Sequence, residues 1–181
     1  MTALVIARIR PMEWLGLKWR EWYLGFAIVP VVIVAMYAFL FGLDYLGYKG
    51  WIESLGAESM QDTVKLLQES DDLVVIGLMA VAAVIAAPLC EEIVFRGYLY
   101  GAAKKFAGPW MAGICSAMVF AAAHGSLAAL LPLFVFGCVL VLLYEMTGSI
   151  WAPVAAHFCF NGLTVLLQVG ARIFDLSGPT S

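Results

Sequence analysis

The fold is decided by the stretch Cys90-Glu91-Glu92-Ile93-Val94-Phe95-Arg96-Gly97, which places two acids and an arginine inside sequence apolar enough to enter a membrane. The preceding residues, Leu73 to Leu89, carry no charge. A charged side chain near the centre of a bilayer costs about 2.5–3.5 kcal/mol even on the most lenient insertion scale. We therefore expect these three charged residues either to pair with one another or to form a site.

The whole chain has the composition of a polytopic membrane protein. Of its 181 residues, 64% are hydrophobic and 13% are charged, whereas soluble domains average about 45–50% and about 25%. A spanning helix needs roughly 20 residues, so the sequence predicts an all-α transmembrane helical bundle of about five to six spans. The small net charge and the lack of a basic stripe exclude nucleic acid as a partner, and membrane lipids are the expected surroundings.

Apolar runs separate the chain into five clear spans within three regions. Residues 1–72 are predicted to hold an interfacial segment, the first span and an acidic loop, residues 73–170 the membrane core, and residues 171–181 a polar tail. Within the acidic loop, residues 57–70 are either a short surface helix or a solvated connection. The predicted spans are Trp22 to Leu43, Leu73 to Lys105 with an interruption at Pro88, Trp110 to His124, Leu127 to Tyr144, and Ile150 to Val169.

Basic residues predict the orientation of the chain. The first 21 residues are basic and rich in tryptophan, which is typical of a cytoplasmic interface, and Lys104-Lys105 is expected on the same side after two crossings. The third span is rich in small residues, which favours close helix packing. The four cysteines are predicted to be helix-buried thiols rather than zinc ligands, because no two form a CxxC pair. They are Cys90, Cys115, Cys138 and Cys159.

Further polar residues lie in or at the ends of the predicted spans. The chain has two histidines, His124 and His157, and Asn161 follows His157 by one helical turn. Arg96 lies four residues after Glu92, which is the spacing of a helical ion pair. This pairing would leave Glu91 free to face the other helices.

A crude depth count supports a shared intramembrane polar cavity. At 1.5 Å per residue from the cytoplasmic span ends, Glu91 lies about 20 Å deep, His124 about 21 Å, Asn161 about 16 Å and His157 about 10 Å. Taken singly, each residue could instead be structural, as an ion pair or as a hydrogen bond between helices. Their joint occurrence in spans, where polar groups are costly, favours a functional site.

These residue types suit hydrolysis by an activated water. A carboxylate in an apolar environment is a stronger base, and a neighbouring histidine can help to hold the water. Histidine and asparagine can donate hydrogen bonds to a developing oxyanion. No GxSxG motif supports a serine nucleophile, and Cys90 is a weaker nucleophile candidate. Two histidines and a glutamate also form a zinc set, but HExxH is absent.

Three ordered motifs carry a resemblance to a known family. Glu91-Glu92-x-x-x-Arg96, Phe120-x-x-x-His124 and His157-x-x-x-Asn161 resemble the motifs of the CAAX-protease and bacteriocin-processing (CPBP, or Abi) family of intramembrane proteases. This family includes the Ras-converting CAAX endopeptidase. The resemblance covers Leu73 to Val169, and larger members of the family have more spans.

The resemblance implies a role for each matching residue. Glu91 would be the water-activating base with His124 as its partner, and His157 and Asn161 would stabilise the oxyanion. Glu92 and Arg96 would be supporting residues. The resemblance leaves the cofactor open: either a divalent metal such as zinc, bound by Glu91, His124 and His157, or no ligated metal.

The expected activity is that of an intramembrane endopeptidase acting on a peptide or protein substrate that is membrane-associated or lipidated. The expected location is a bacterial or archaeal inner (plasma) membrane, with the N-terminus in the cytoplasm. Two alternatives stay open at this point. One is a non-catalytic membrane scaffold or bacteriocin-immunity protein, and the other is a proton-coupled transporter, for which no pair of broken-helix repeats is visible.

Overall fold

The computed structural model describes residues 15–18, 22–56, 65, 70 and 72–173. Most of the predicted interfacial segment, most of the predicted helix or loop at residues 57–70, and the end of the polar tail lie outside the described residues. The part of the chain that is described is mostly helical and contains no strand, which confirms the all-α class. Its helices are α1 (Gly25–Tyr45), α2 (Tyr48–Ser54), α3 (Leu73–Val81), α4 (Ala87–Glu92), α5 (Gly101–Ala123), α6 (Leu127–Thr147) and α7 (Trp151–Ile173).

Two π-helical segments join three of these helices into one continuous run. The first, π1, is Ala82–Ala86 between α3 and α4, and the second, π2, is Ile93–Tyr100 between α4 and α5. A π-helix shifts the hydrogen-bond register from four residues to five and occurs often at functional sites. Both segments flank the acid pair, which therefore lies in a short α-helical stretch between two departures from α geometry, whereas Arg96 lies within π2.

Four helical stretches are long and apolar enough to cross a membrane. In lipid, a helix satisfies all of its backbone hydrogen bonds internally, which explains why these apolar runs fold this way. Asp72 and Ser126 accept hydrogen bonds from backbone amides in the first turns of α3 and α6. The stretches are Trp22–Tyr45, Leu73–Ala123, Leu127–Thr147 and Trp151–Arg172.

The longest stretch contains two of the predicted spans, because it doubles back at Gly108. Gly108 has φ 74° and ψ 169°, which is not helical, and Pro109 follows it. Beyond this kink, Ser116 Oγ donates to Phe95 O at 3.0 Å, across 21 residues. A straight helix would hold such residues about 30 Å apart. The kink thus divides the longest stretch into two segments that pack on each other, at the place where the sequence predicts a turn between two spans.

Small residues let α5 and α6 approach closely, as the sequence predicts. Ala112 and Ala117 are fully buried. A Cβ added at Gly137 would lie only 3.0 Å from the Cβ of Ala117. Close backbone approach of this kind is a main source of helix association in lipid, where no hydrophobic force drives helices together.

The prediction of buried thiols is wrong for three of the four cysteines. Cys90, Cys115 and Cys159 are exposed on the helix surface, and Cys138 is intermediate. In a membrane the outer surface contacts lipid tails, which are as apolar as the protein interior. An apolar thiol is therefore at no disadvantage on that surface, and hydropathy alone does not distinguish the two positions.

Candidate active site

The structure brings Glu91 and both histidines together. Glu91 lies on α4, His124 ends α5 and His157 lies on α7. Glu91 Oε2 is 3.9 Å from His124 Nε2 and 3.8 Å from His157 Nε2. Two histidines from different helices thus face one buried carboxylate oxygen, although all three residues are far apart in the sequence.

Glu92 lies in a fully buried network beside this group. Glu92 Oε1 accepts a hydrogen bond from Arg96 Nη1 at 2.8 Å, so the predicted ion pair is present. The same oxygen is 2.8 Å from His157 Nδ1, a contact that the sequence did not predict. Arg96 Nη2 also donates to the carbonyl of Gly137 at 3.1 Å. Glu92 therefore connects its own helix to α7, and Arg96 connects it to α6.

The hydrogen bonds of the two histidine rings define which nitrogen faces Glu91. His157 Nδ1 faces a carboxylate oxygen, and His124 Nδ1 lies 2.8 Å from the carbonyl of Phe120. Both partners are acceptors, so each Nδ1 carries the proton and donates it. Each ring then presents Nε2 to the side of Glu91.

Glu91 Oε2 is buried and has no hydrogen-bond partner among the described residues. The two Nε2 atoms lie beyond the distance of a direct hydrogen bond to this oxygen. Polar atoms that face each other at such a distance are typically bridged by a water molecule. The arrangement can therefore hold a water molecule in contact with a carboxylate and two imidazoles.

Aromatic side chains that the sequence analysis did not assign to the site enclose the histidines. The Phe120 ring lies 4.9 Å from the His124 ring and 5.8 Å from the His157 ring, centroid to centroid. Phe136 lies 5.3 Å from His157, and the guanidinium of Arg96 lies 4.5 Å above Phe120. In the sequence, the Phe120-x-x-x-His124 spacing indicates one of these contacts, because it places both rings on one helix face.

Asn161 has a different contact from the one that its predicted role would require. Its Nδ2 donates to the carbonyl of Ala83, in π1, at 2.9 Å. In π1 the N–H of Ala87 donates to the carbonyl of Ala82, five residues earlier. By the same spacing, the donor to the carbonyl of Ala83 would be residue 88. That residue is Pro88, which has no N–H. Asn161 thus supplies the hydrogen bond that the proline cannot, and its catalytic role stays a prediction.

The proposed metal ligands have suitable chemistry but unsuitable spacing. Carboxylate and imidazole are zinc ligands, and both Nδ1 atoms have the hydrogen-bonded partners that metal-bound histidines usually have. A tetrahedral ion at ordinary bond lengths would hold its donors about 3.3–3.5 Å apart, and those around Glu91 Oε2 are 3.8 and 3.9 Å from it. No three such side chains in the described ranges are placed to hold a metal.

An apolar cavity lies between two of the helices that carry the site. It measures about 380 Å³ and lies between α7 and the run that carries Glu91. Pro88 and Leu89 line it from α4, and Trp151, Val154 and Phe158 line it from α7. Because Phe158 is next to His157 in the sequence, the cavity follows the same pair of helices as the site.

Comparisons with known proteins agree with this arrangement. A family model described as type II CAAX prenyl endopeptidase Rce1-like matches residues 74–163, which contain all six predicted site residues. The chain is 31% identical over 142 residues to YdiL of Bacillus subtilis (strain 168), which is provisionally named a membrane peptidase. The aligned region is 76% of this chain and 57% of that relative.

No solved structure matches the chain significantly. The span-length helices and the membrane peptidase relative identify the chain as an integral membrane protein. The three motifs, the match over residues 74–163 and the YdiL relationship together show that this chain belongs to the Rce1-like CAAX protease (CPBP) family.

Proposed function

We propose that this protein is an intramembrane endopeptidase that hydrolyses peptide bonds with a water activated by Glu91. The observation that carries this proposal is the buried Oε2 of Glu91, which has no partner among the described residues and faces Nε2 of both His124 and His157. A water held there would contact a base and two imidazoles. That is the arrangement that general-base hydrolysis requires.

The reaction can be written from these residues alone. Glu91 takes a proton from the water as the water oxygen attacks the carbonyl carbon of the peptide bond, with His124 holding the water in place. The carbonyl oxygen becomes an oxyanion, which accepts a hydrogen bond from His157 Nε2 when that ring carries a second proton. As the C–N bond breaks, the leaving amine takes the proton from Glu91.

The supporting residues would position this machinery. Glu92, which is itself held by Arg96, accepts a hydrogen bond from His157 Nδ1 and would thereby direct Nε2 towards the reacting carbonyl. Asn161 has two amide protons and uses one for Ala83, and the other would bind the oxyanion. No step runs through a metal, because the spacing of the donor atoms does not fit one.

The surroundings of the site favour an apolar substrate. The cavity between α4 and α7, the helices that carry Glu91 and His157, is lined by apolar side chains. We infer a membrane-associated or lipidated peptide as the substrate. The proposed location is a bacterial or archaeal inner membrane with a cytoplasmic N-terminus. The described Leu15–Lys18 segment contacts the start of α7 at Ile150, the span end expected to be cytoplasmic, which supports this orientation.

The test is cleavage of a library of quenched apolar and lipidated peptides by the purified protein in detergent. Wild type is compared with Glu91→Gln and with the control Glu145→Gln, which changes an exposed carboxylate paired with Lys104. We expect cleavage by wild type and control, and a loss of at least about 1000-fold in Glu91→Gln.

Equal cleavage by wild type and Glu91→Gln would remove Glu91 from its role. If no variant cleaves any peptide, the proposed activity is contradicted for these substrates. Loss of stability in Glu91→Gln, with no activity in wild type, would point to the alternative of a non-catalytic scaffold in which the polar network is structural.

A further inference from the structure

A short N-terminal segment, Leu15–Lys18, crosses the start of the helix that carries His157. We call it the strap. The backbone N–H of Ile150 donates to the carbonyl of Gly16 at 3.1 Å. The indole N–H of Trp151 donates to the carbonyl of Leu17 at 2.9 Å. The first amides of a helix have no partner within the helix, so the strap supplies part of the N-terminal cap of α7 from a distant part of the chain.

The same segment packs against the run that carries Glu91, Glu92 and Arg96. A Cβ added at Gly97 would lie 2.5 Å from Leu15 Cδ2 and 3.5 Å from Ile150 Cδ1. Gly97 is buried and directly follows Arg96. The leucine side chain thus occupies the space that a side chain at position 97 would need.

The strap itself fits closely because of a glycine. Gly16 has φ 60°, in the left-handed region that L side chains rarely adopt. A Cβ at this position would lie 2.4 Å from the carbonyl oxygen of Gly148, in the turn before α7. Backbone therefore lies against backbone at this point, which makes the contact close and its geometry specific.

The strap and the network of Glu92, Arg96 and His157 contact the same two helical runs at different positions along α7. His157 lies six residues after Trp151, or about 9 Å along the helix. Glu92 joins α7 to its own helix at the level of His157, and Leu15 joins the same helices below it through Gly97 and Ile150. A displacement of the start of α7 would be carried along a rigid helix to His157.

We propose that the strap is a positioning element for His157, with Leu15 and Gly97 as its positioning residues. It holds the start of α7 against π2 and so keeps Nε2 of His157 directed at Glu91. The catalytic consequence rests on the proposed peptidase function, whereas the effect on the His157 ring does not.

The test uses a helical glycine pair as matched variants. Gly97→Ala inserts a methyl group into the position of Leu15. Gly101→Ala makes the same change one turn later, where nothing lies within 4 Å of the added Cβ. Leu15→Ala removes the clashing atoms, so the double variant Leu15→Ala with Gly97→Ala is the rescue. All variants are made in the full chain.

Two readouts separate positioning from a general loss of structure. We expect kcat for peptide cleavage to fall about tenfold in Gly97→Ala, since small misplacements of catalytic groups are costly, while KM and thermal stability change little. Isotope-labelled histidine nitrogens give a second readout, because the chain has two histidines. The His157 signals should shift in Gly97→Ala, while those of His124 and all signals of Gly101→Ala stay in place.

The double variant decides the outcome. Recovery of kcat and of the His157 signals towards the Leu15→Ala values, relative to Gly97→Ala, supports coupling through the strap. Indistinguishable behaviour of Gly97→Ala and Gly101→Ala in both readouts overturns the proposal, as does a double variant that recovers neither. If wild type cleaves no peptide, the peptidase proposal fails, and the histidine signals alone still decide whether the strap positions His157.

Discussion

His157 and Arg96 share one oxygen of Glu92: His157 Nδ1 and Arg96 Nη1 each lie 2.8 Å from Oε1. All three side chains are at most 3% exposed. The ion pair that the sequence predicts within one helix is therefore also the attachment point of another helix. The buried Arg96 therefore affects the orientation of His157, a proposed catalytic residue, as well as stability.

We expect Arg96→Ala to destabilise the protein strongly. Removing one partner of a buried ion pair leaves an uncompensated buried charge, which typically costs about 3–5 kcal/mol. The matched control is Lys104→Ala, which breaks an ion pair to Glu145 whose side chains are 41% and 34% exposed. Exposed pairs contribute only about 0–1 kcal/mol. Thermal or denaturant unfolding in detergent measures both variants.

Similar losses in Arg96→Ala and Lys104→Ala would contradict this assignment. That result would mean that Glu92 gains a replacement donor when Arg96 is removed. Peptide cleavage by the Arg96→Ala protein below its unfolding temperature gives a second measure, because His157 would lose the fixed position of its carboxylate partner.

Sequence reasoning predicted the interactions that depend on spacing along one helix. The Glu92 and Arg96 pair follows from an i, i+4 separation, and the span-length apolar helices follow from apolar run lengths. It did not predict the contact of His157 with Glu92, because that contact depends on how α7 packs against α4. It also could not predict lipid-facing cysteines such as Cys159, since packed and lipid-facing positions are equally apolar.

Asn161 illustrates the same limit and leads to a second prediction. Its side-chain amide donates a hydrogen bond to the carbonyl of Ala83, to which Pro88 cannot donate because it has no backbone N–H. Asn161→Ala should leave that carbonyl without a partner and cost about 1–3 kcal/mol of unfolding free energy. In a Pro88→Ala background the backbone N–H returns, so the cost of Asn161→Ala should be smaller. Unfolding of the two single variants and the double variant measures this difference as a double-mutant cycle.

The same set of variants tests the catalytic role of Asn161. If Asn161 also binds the oxyanion, restoring stability through Pro88→Ala leaves the cleavage defect of Asn161→Ala in place. If Asn161 acts only by donating a hydrogen bond to the carbonyl of Ala83, cleavage recovers together with stability. An equal cost of Asn161→Ala in both backgrounds would show that the proline is not the reason for this hydrogen bond.

Metal removal provides the third prediction. The donors around Glu91 Oε2 are 3.8 and 3.9 Å away from it, wider than the roughly 3.3–3.5 Å that a tetrahedral ion imposes on its ligands. We therefore expect cleavage to persist after exhaustive dialysis against a chelator and to be unaffected by added zinc. The measurement is kcat/KM before and after dialysis, with the metal content of the protein determined in parallel.

A loss of activity that returns on addition of a divalent metal would contradict this expectation. It would require Glu91, His124 and His157 to move about half an ångström closer together on binding the metal. In that case a bound ion would stabilise the folded protein by mass action. The thermal stability of wild type would then rise with metal concentration, whereas that of His124→Ala, which lacks one donor, would respond much less.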